Sequence, residues 1–333
     1  MEDKRIKVGF FGVASWEKDL IEKGMYGLQN CAVSVFEKNV NDSMEEAVNF
    51  DILSVFVGSV LNKKTLDKLP NLKLIATRST GMDHIDIAEC KKRKIEVMSV
   101  PEYGSVTVAE YAFGLLLAIT KKIVVAHQSV EDGDFSPEGL TGVDLEGKTL
   151  GVVGVGKIGA NMVRYGKGFG MKVLGVARHK DTTLENKLGY EFCSLEKCLK
   201  ESDFVSLHVP SNKETFHLIN RQNIELMKPG SYLINTCRGD VVEAEAILWA
   251  LNNGVLAGAG LDVAEAEGMV ADVGIVEKNT SKDDLKEAVT FHMLRDRDDV
   301  IFTPHNAFNT KEAVERIVET TFKNIKEFLK KNK

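Results

Sequence analysis

One stretch limits the possible folds of this chain more than any other: "TLGVVGVGKIG", Thr149 to Gly159. An apolar run from Leu150 to Val153 enters three glycines, Gly154, Gly156 and Gly159, in GxGxxG spacing, and "KIGANMVRYGKGFG" continues as a helical pattern. A second apolar run, "MKVLGVA", completes a strand–helix–strand unit. Glycines at this spacing permit a tight turn and close backbone approach, and the start of the helix offers free N–H groups to a pyrophosphate. The spacing alone is a weak signal, but between a strand and a helix it predicts a dinucleotide site. Gly154, Gly156, Lys157, Ile158 and Gly159 are the predicted cradle.

Such a unit presents an acid to the cofactor ribose about 20 residues beyond the glycines. Here the strand ends in Ala177, followed by Arg178, His179 and Lys180. A small neutral residue leaves room for a 2′-phosphate, and the basic residues supply charge-assisted donors. The expected cofactor is therefore NADP(H), with NAD(H) possible; Asp181 is close enough in sequence to reach a ribose.

The same strand–helix alternation runs through the rest of the 333 residues, a length comfortable for two cores. "KVGFFGV", "VSVFEK", "ILSVFVG", "LKLIATRS" and "IEVMSV" read as strands before the glycine loop, and "FVSLHVP", "SYLINTC", "AGAGLDV" and "VIFTPH" after it. Alternation of this kind argues for parallel sheets covered on both faces. Ser43 with Glu46, and Thr107 with Glu110, have capping-box spacing, so helices are expected to begin there. The helix from Thr107 is apolar on nearly every side and should be buried. Near the C-terminus, Val314, Ile317, Val318, Phe322, Ile325 and Leu329 share one helical face that could pack back onto the N-terminal third. The predicted fold is α/β, with two doubly wound parallel-sheet domains. A Rossmann-type dinucleotide domain, 105–303, is inserted into a smaller flavodoxin-like domain formed by 1–104 and 304–333.

Composition excludes several other classes. A net charge of −6 gives no reason to expect nucleic acid, and the longest apolar segment, "YAFGLLLAIT", is too short to span a bilayer. With no leader-like pattern, a cytoplasmic protein is expected. The five cysteines are odd in number and scattered, which suggests neither a disulfide framework nor a metal site.

Further stretches carry a resemblance. "RSTGMDHID", "GVVGVGKIG", "LHVPSNKETFHLI", "LINTCRGDVV", "GAGLDVAEAEG" and "IFTPHNAFNT", in this order from about Leu53 to Thr310, resemble the D-isomer-specific 2-hydroxy acid dehydrogenase family, most closely its D-lactate dehydrogenase branch. The resemblance implies that Arg238 binds the substrate carboxylate and keto oxygen, that His305 gives and takes the proton, and that Glu267 tunes His305. It implies that Asp262 touches the nicotinamide carboxamide, and that Val209, Pro210, Thr236 and Cys237 border the cofactor. Thr80 and Gly81 would hold the carboxylate through backbone N–H groups, Tyr103 and Phe308 would line the pocket, and the smaller domain would bind substrate. It also implies a homodimer, with the Thr107 helix as a candidate contact, and a small 2-keto or 2-hydroxy acid such as pyruvate or D-lactate as substrate, bound in a cleft.

The chemistry makes matching demands. Reduction of a 2-keto acid needs an oriented hydride donor, a proton donor at the carbonyl and a cation for the carboxylate. Arginine offers a planar fork for that carboxylate, and a carboxylate beside a histidine favours its imidazolium form. The chain departs from the family pattern at Ala177, where an acid is commoner, and at Cys237, whose thiol suggests sensitivity to alkylation. "LDVAEAEG" also lacks the proline that follows the acid in many relatives, which leaves Glu265 as an alternative to Glu267. Two other readings stand beside a D-lactate dehydrogenase: a glyoxylate or hydroxypyruvate reductase, and a non-catalytic dinucleotide-sensing protein on the same fold.

Overall fold

The computed structural model describes residues 5–28, 30–265 and 282–332. The chain forms two compact units, Met1–Tyr103 with Asn309–Lys333, and Gly104–Phe308.

The first unit holds five parallel strands: β1 (Ile6–Phe10), β2 (Cys31–Val35), β3 (Ile52–Val55), β4 (Leu74–Thr77) and β5 (Glu96–Met98). Their order is β2-β1-β3-β4-β5, so the winding reverses between β1 and β3. Every residue of β3 and β4 is buried, as expected of strands covered on both faces. The Lys311–Lys331 helix supplies part of that cover and packs on β4 and on the Ser15–Met25 helix. Its buried stripe contains Val314, Ile317, Val318, Phe322 and Ile325, and Phe322 lies 5.2 Å from Phe10 between ring centroids. The stripe ends on Phe328, which is buried, whereas the expected Leu329 is only partly covered.

The second unit holds seven parallel strands: β6 (Thr149–Val153), β7 (Lys172–Val176), β8 (Glu191–Phe192), β9 (Phe204–Leu207), β10 (Ser231–Asn235), β11 (Leu256–Leu261) and β12 (Val300–Phe302). The order β12-β11-β10-β9-β6-β7-β8 reverses at β6, the strand that leads into the glycine loop. In such sheets ligands bind beyond the carboxyl ends of the strands at the reversal. Both sheets match the expected fold class. The two-residue β8 was not among the expected strands, being too short to show a period.

One of the two helix starts read from the sequence differs. The long apolar helix runs Ser105–Thr120 with Gly104 at its N-cap, so Thr107 lies inside it. Ser43 does cap the Met44–Ala47 helix by position, but its side chain makes no capping hydrogen bond. The helix start expected at Ser43 is therefore where the spacing put it, without the side-chain bond, while the start expected at Thr107 is moved to Gly104.

The first unit buries an ion pair, Arg78 with Glu17. Arg78, just after β4, is wholly inaccessible, and its Nε donates to Glu17 Oε1 at 3.1 Å. The other guanidinium nitrogens donate to Ser54 Oγ (3.2 Å), Phe11 O (3.0 Å) and Gly12 O (2.8 Å), and Ala14 N donates to Glu17 Oε2 (3.2 Å). This network ties the ends of β1, β3 and β4 together. Arg78→Met, which strands Glu17 unpaired, is expected to lower the unfolding free energy by about 3–5 kcal/mol in urea titrations. A second change, Glu17→Leu, should recover most of that loss, because replacing both charges by apolar groups is close to neutral. A loss below about 1 kcal/mol for Arg78→Met would remove the network from the account of stability.

Candidate active site

The glycine loop turns tightly against its neighbours. Gly154 has φ of 98°, and a Cβ there would lie 2.5 Å from the carbonyl oxygen of His208. A Cβ on Gly159 would lie 2.2 Å from Gly154 O. Only glycine fits these two positions. Val176 O, at the end of β7, accepts from both Gly154 N (2.8 Å) and Val155 N (3.2 Å). The Lys157–Gly168 helix then starts from Gly156, so Lys157, Ile158 and Gly159 present first-turn N–H groups at its positive end.

On the β9 and β10 side, Val209 lies against Gly154, with Pro210 beyond it on the surface. Among the described residues, Thr236 Oγ1 and His208 Nδ1 are buried without a protein hydrogen-bond partner. Such atoms are rare in folded proteins and are satisfied by a ligand or water. The glycine cradle, the helix start and these polar atoms fit a dinucleotide. His208 is otherwise held by Ser206 Oγ at 2.9 Å from Nε2, and burial depresses its pKa to about 4.

The basic strand end is less open than its sequence suggests. Ala177 is half-buried; Arg178, His179 and Lys180 are exposed. Arg178 pairs with Glu214, and Lys180 with Glu185 at 3.2 Å. Asp181 caps the next helix by accepting from Leu184 N at 2.9 Å, so one of its oxygens is already engaged.

A second group of residues lies where β10, β11 and β12 end. Asp262 is fully buried. Its carboxylate accepts from Thr303 Oγ1 (2.5 Å), Asn306 N (2.8 Å) and Ala307 N (2.8 Å), while its carbonyl accepts from His305 N (2.9 Å). Burial raises its pKa, and those three donors oppose the rise. His305 is thereby fixed in the left-handed region, with φ of 50°.

Arg238 is held by the loop after β10. Asn235 Nδ2 donates to Arg238 O (2.9 Å), Asn235 Oδ1 accepts from Cys237 N (3.1 Å), and Arg238 Nη1 donates to Cys237 O (2.7 Å). Gly239 follows because a Cβ there would stand 2.0 Å from Ala264 O. Cys237 is half-buried. Burial pushes its pKa up to about 11, and Sγ donates to Asn235 Oδ1 at 3.1 Å, so thiolate is scarce near neutral pH.

Of the two candidate acids, Glu267 lies outside the described residues. Glu265 is engaged elsewhere: its carboxylate pairs with His217 Nε2 and accepts from Ala244 N at 3.1 Å. Sequence reasoning missed His217, because no motif links it to a residue 48 positions away. It missed Arg78 and Glu214 for the same reason.

The remaining candidates divide between the units. Thr80, Gly81 and Tyr103 belong to the first, Phe308 to the second. Thr80 Oγ1 donates to Val100 O (2.7 Å), and Ser79 Oγ to Gly81 O (2.6 Å), which fixes the loop. Among the described residues the N–H groups of Thr80 and Gly81 have no protein acceptor, an arrangement suited to an anion. Tyr103 and Phe308 are half-buried. Among the described residues no group of three or more metal-ligating side chains comes together, and no helix is long and apolar enough to cross a membrane.

This fold and site define a nicotinamide-dinucleotide oxidoreductase. Residues 113–307 match the family model described as D-isomer specific 2-hydroxyacid dehydrogenase, NAD binding domain. A glyoxylate reductase of Thermococcus litoralis is 38% identical over 294 residues, covering 86% of this chain and 83% of that protein. The crystal structure of D-lactate dehydrogenase from Aquifex aeolicus, complexed with NAD and lactic acid, superposes with a TM-score of 0.86 at 38% identity, covering 97% of this chain and 95% of that one. The apo-structure of D-lactate dehydrogenase from Escherichia coli gives 0.84 at 31% identity, covering 98% and 97%. The chain belongs to the D-isomer-specific 2-hydroxyacid dehydrogenase family, and it is a D-2-hydroxyacid dehydrogenase.

The buried histidine gives a pH prediction. The ordinary histidine value is 6.5 and that of folded His208 about 4, so on acidification the unfolded chain takes up the proton first. The stability that neutral His208 contributes is full above 6.5 and is lost as pH falls towards 4. Urea midpoints at the two ends of this window should therefore fall with pH more steeply in the unsubstituted chain than in His208→Gln; equal slopes would contradict this assignment.

Proposed function

We propose that this dehydrogenase interconverts a small 2-keto acid, such as pyruvate, and the corresponding D-2-hydroxy acid, such as D-lactate. In this reading Arg238 binds the substrate carboxylate, His305 gives the proton to the carbonyl oxygen and takes it back in the reverse direction, and Glu267 tunes His305. The bound nicotinamide cofactor supplies the hydride. Gly154, Gly156, Gly159, the helix start at Lys157 and Ile158, and the rim of Val209, Pro210, Thr236 and Cys237 hold it.

The observation that carries the reading is the Asp262 network, which fixes His305 at a strand end of the dinucleotide unit, on the same rim as the Arg238 loop. Asp262 thus acts on His305 through the backbone; contact with the nicotinamide carboxamide is a further part of the proposal. The engagement of Glu265 with His217 and Ala244 supports Glu267 as the partner of His305. Thr80 and Gly81 would complete carboxylate binding, and Tyr103 and Phe308 would line the pocket. Residues 1–104 and 304–333 then act as the substrate domain. Ala177 beside Arg178 supports NADP(H) as the favoured cofactor, with NAD(H) accepted. A cytoplasmic homodimer completes the proposal. The Thermococcus litoralis relative favours a second reading, in which glyoxylate is the substrate.

Both readings are tested by following loss of reduced-nicotinamide absorbance with pyruvate, glyoxylate, hydroxypyruvate and phenylpyruvate, each with NADPH and NADH. Pyruvate is expected to give the highest kcat/KM, and NADPH to exceed NADH. Best turnover of glyoxylate would replace the first reading by the second. No turnover of any 2-keto acid would reject both and leave the dinucleotide sensor. His305→Gln is expected to lower kcat by about 10²–10⁴-fold. Arg238→Lys, which loses the planar fork, should lower kcat/KM by about a hundredfold. Near-normal turnover in either variant would take that residue out of the proposed chemistry.

A further inference from the structure

Arg178 and Glu214 lie 36 positions apart in the chain and meet as an ion pair. Arg178 follows β7 and Glu214 follows β9, the two strands that flank β6. The glycine cradle sits at the end of β6 and touches both neighbours, Val176 O on one side and His208 O on the other. The pair therefore reaches across the rim above the cradle, between strands two spacings, or about 10 Å, apart.

Glu214 is presented by a braced turn. Its N–H donates to Asn212 Oδ1 (2.8 Å), Thr215 Oγ1 donates to Pro210 O (2.6 Å), and Asn212 N donates to Thr215 Oγ1 (2.9 Å). The other charges near this strand end have partners of their own, Lys180 with Glu185 and Asp181 with a helix N-terminus. Arg178 is the guanidinium at the end of β7, and Glu214 is the acid that occupies it.

We infer that Glu214 is a specificity-determining residue: by occupying Arg178, it restrains the selection of NADP(H) over NAD(H). The inference rests on the reading of the β7 end as the ribose side of the cofactor. An exposed ion pair adds little to stability, so a fold role does not explain the pair. A guanidinium already engaged by a carboxylate is a different matter for a 2′-phosphate, because the phosphate must displace that carboxylate to gain the bidentate contact. A cofactor without the phosphate makes no such demand. The acid missing from position 177 is thus offset by an acid from another strand, which acts on the arginine and not on the ribose.

The test is calorimetric titration of NADP⁺ and NAD⁺ into the unsubstituted chain, Glu214→Gln, Arg178→Gln and the double variant. Glu214→Gln is expected to raise the ratio of NADP⁺ to NAD⁺ association constants about threefold, the most an exposed ion pair is commonly worth. In the Arg178→Gln background the same change should leave the ratio unmoved, as expected when one residue acts through the other. An unmoved ratio in Glu214→Gln would overturn the proposal, and so would an equal rise that persists without Arg178. Failure of the unsubstituted chain to bind either dinucleotide would overturn the cofactor site along with it.

Discussion

The buried carboxylate of Asp262 is the interaction on which the second unit's site depends. Its residue links three strand ends at once: its N–H donates to Asn235 O at the end of β10, its own carbonyl accepts from His305, and its side chain collects Thr303, Asn306 and Ala307 after β12. A carboxylate placed in the core is tolerated only with such a set of donors. The arrangement fixes the His305 backbone, which is the preorganisation that the proposed proton transfer would require.

The first unit uses the opposite charge for the same purpose. Arg78 gathers the carbonyls of Phe11 and Gly12 where Asp262 gathers N–H groups, and each stands just beyond a strand. Parallel sheets wind their connections back along helices and leave loops at the carboxyl ends, where ligands bind. Those loops carry backbone polar groups that the sheet does not satisfy. A buried ion with several hydrogen bonds satisfies them and makes the loop rigid. Thr80 and Gly81 follow Arg78 after a single residue, Ser79, so the rigidity of one bears on the posture of the others.

Local pattern revealed much of this in the sequence. The GxGxxG turn, the strand alternation and the C-terminal stripe are short-range patterns, each set by contacts of neighbouring residues or by one period, and the corresponding elements are where they were expected. Several of the shortfalls were pairings at long range. Glu214 facing Arg178, His217 facing Glu265 and Glu17 facing Arg78 have no spacing rule, because topology brings them together. The Thr107 capping box failed in the other direction, since its helix begins at Gly104, whereas the helix expected at Ser43 begins there.

The backbone of His305 has a consequence of its own. A histidine with φ of 50° occupies a region that glycine enters more readily. Glycine there would relieve the backbone and remove the imidazole. Under the role proposed for His305, the position sets a conflict between selection for thermal persistence and selection for turnover. A chain of this design drifting without need of its chemistry would lose the histidine early, and would become a sturdier protein as it did so.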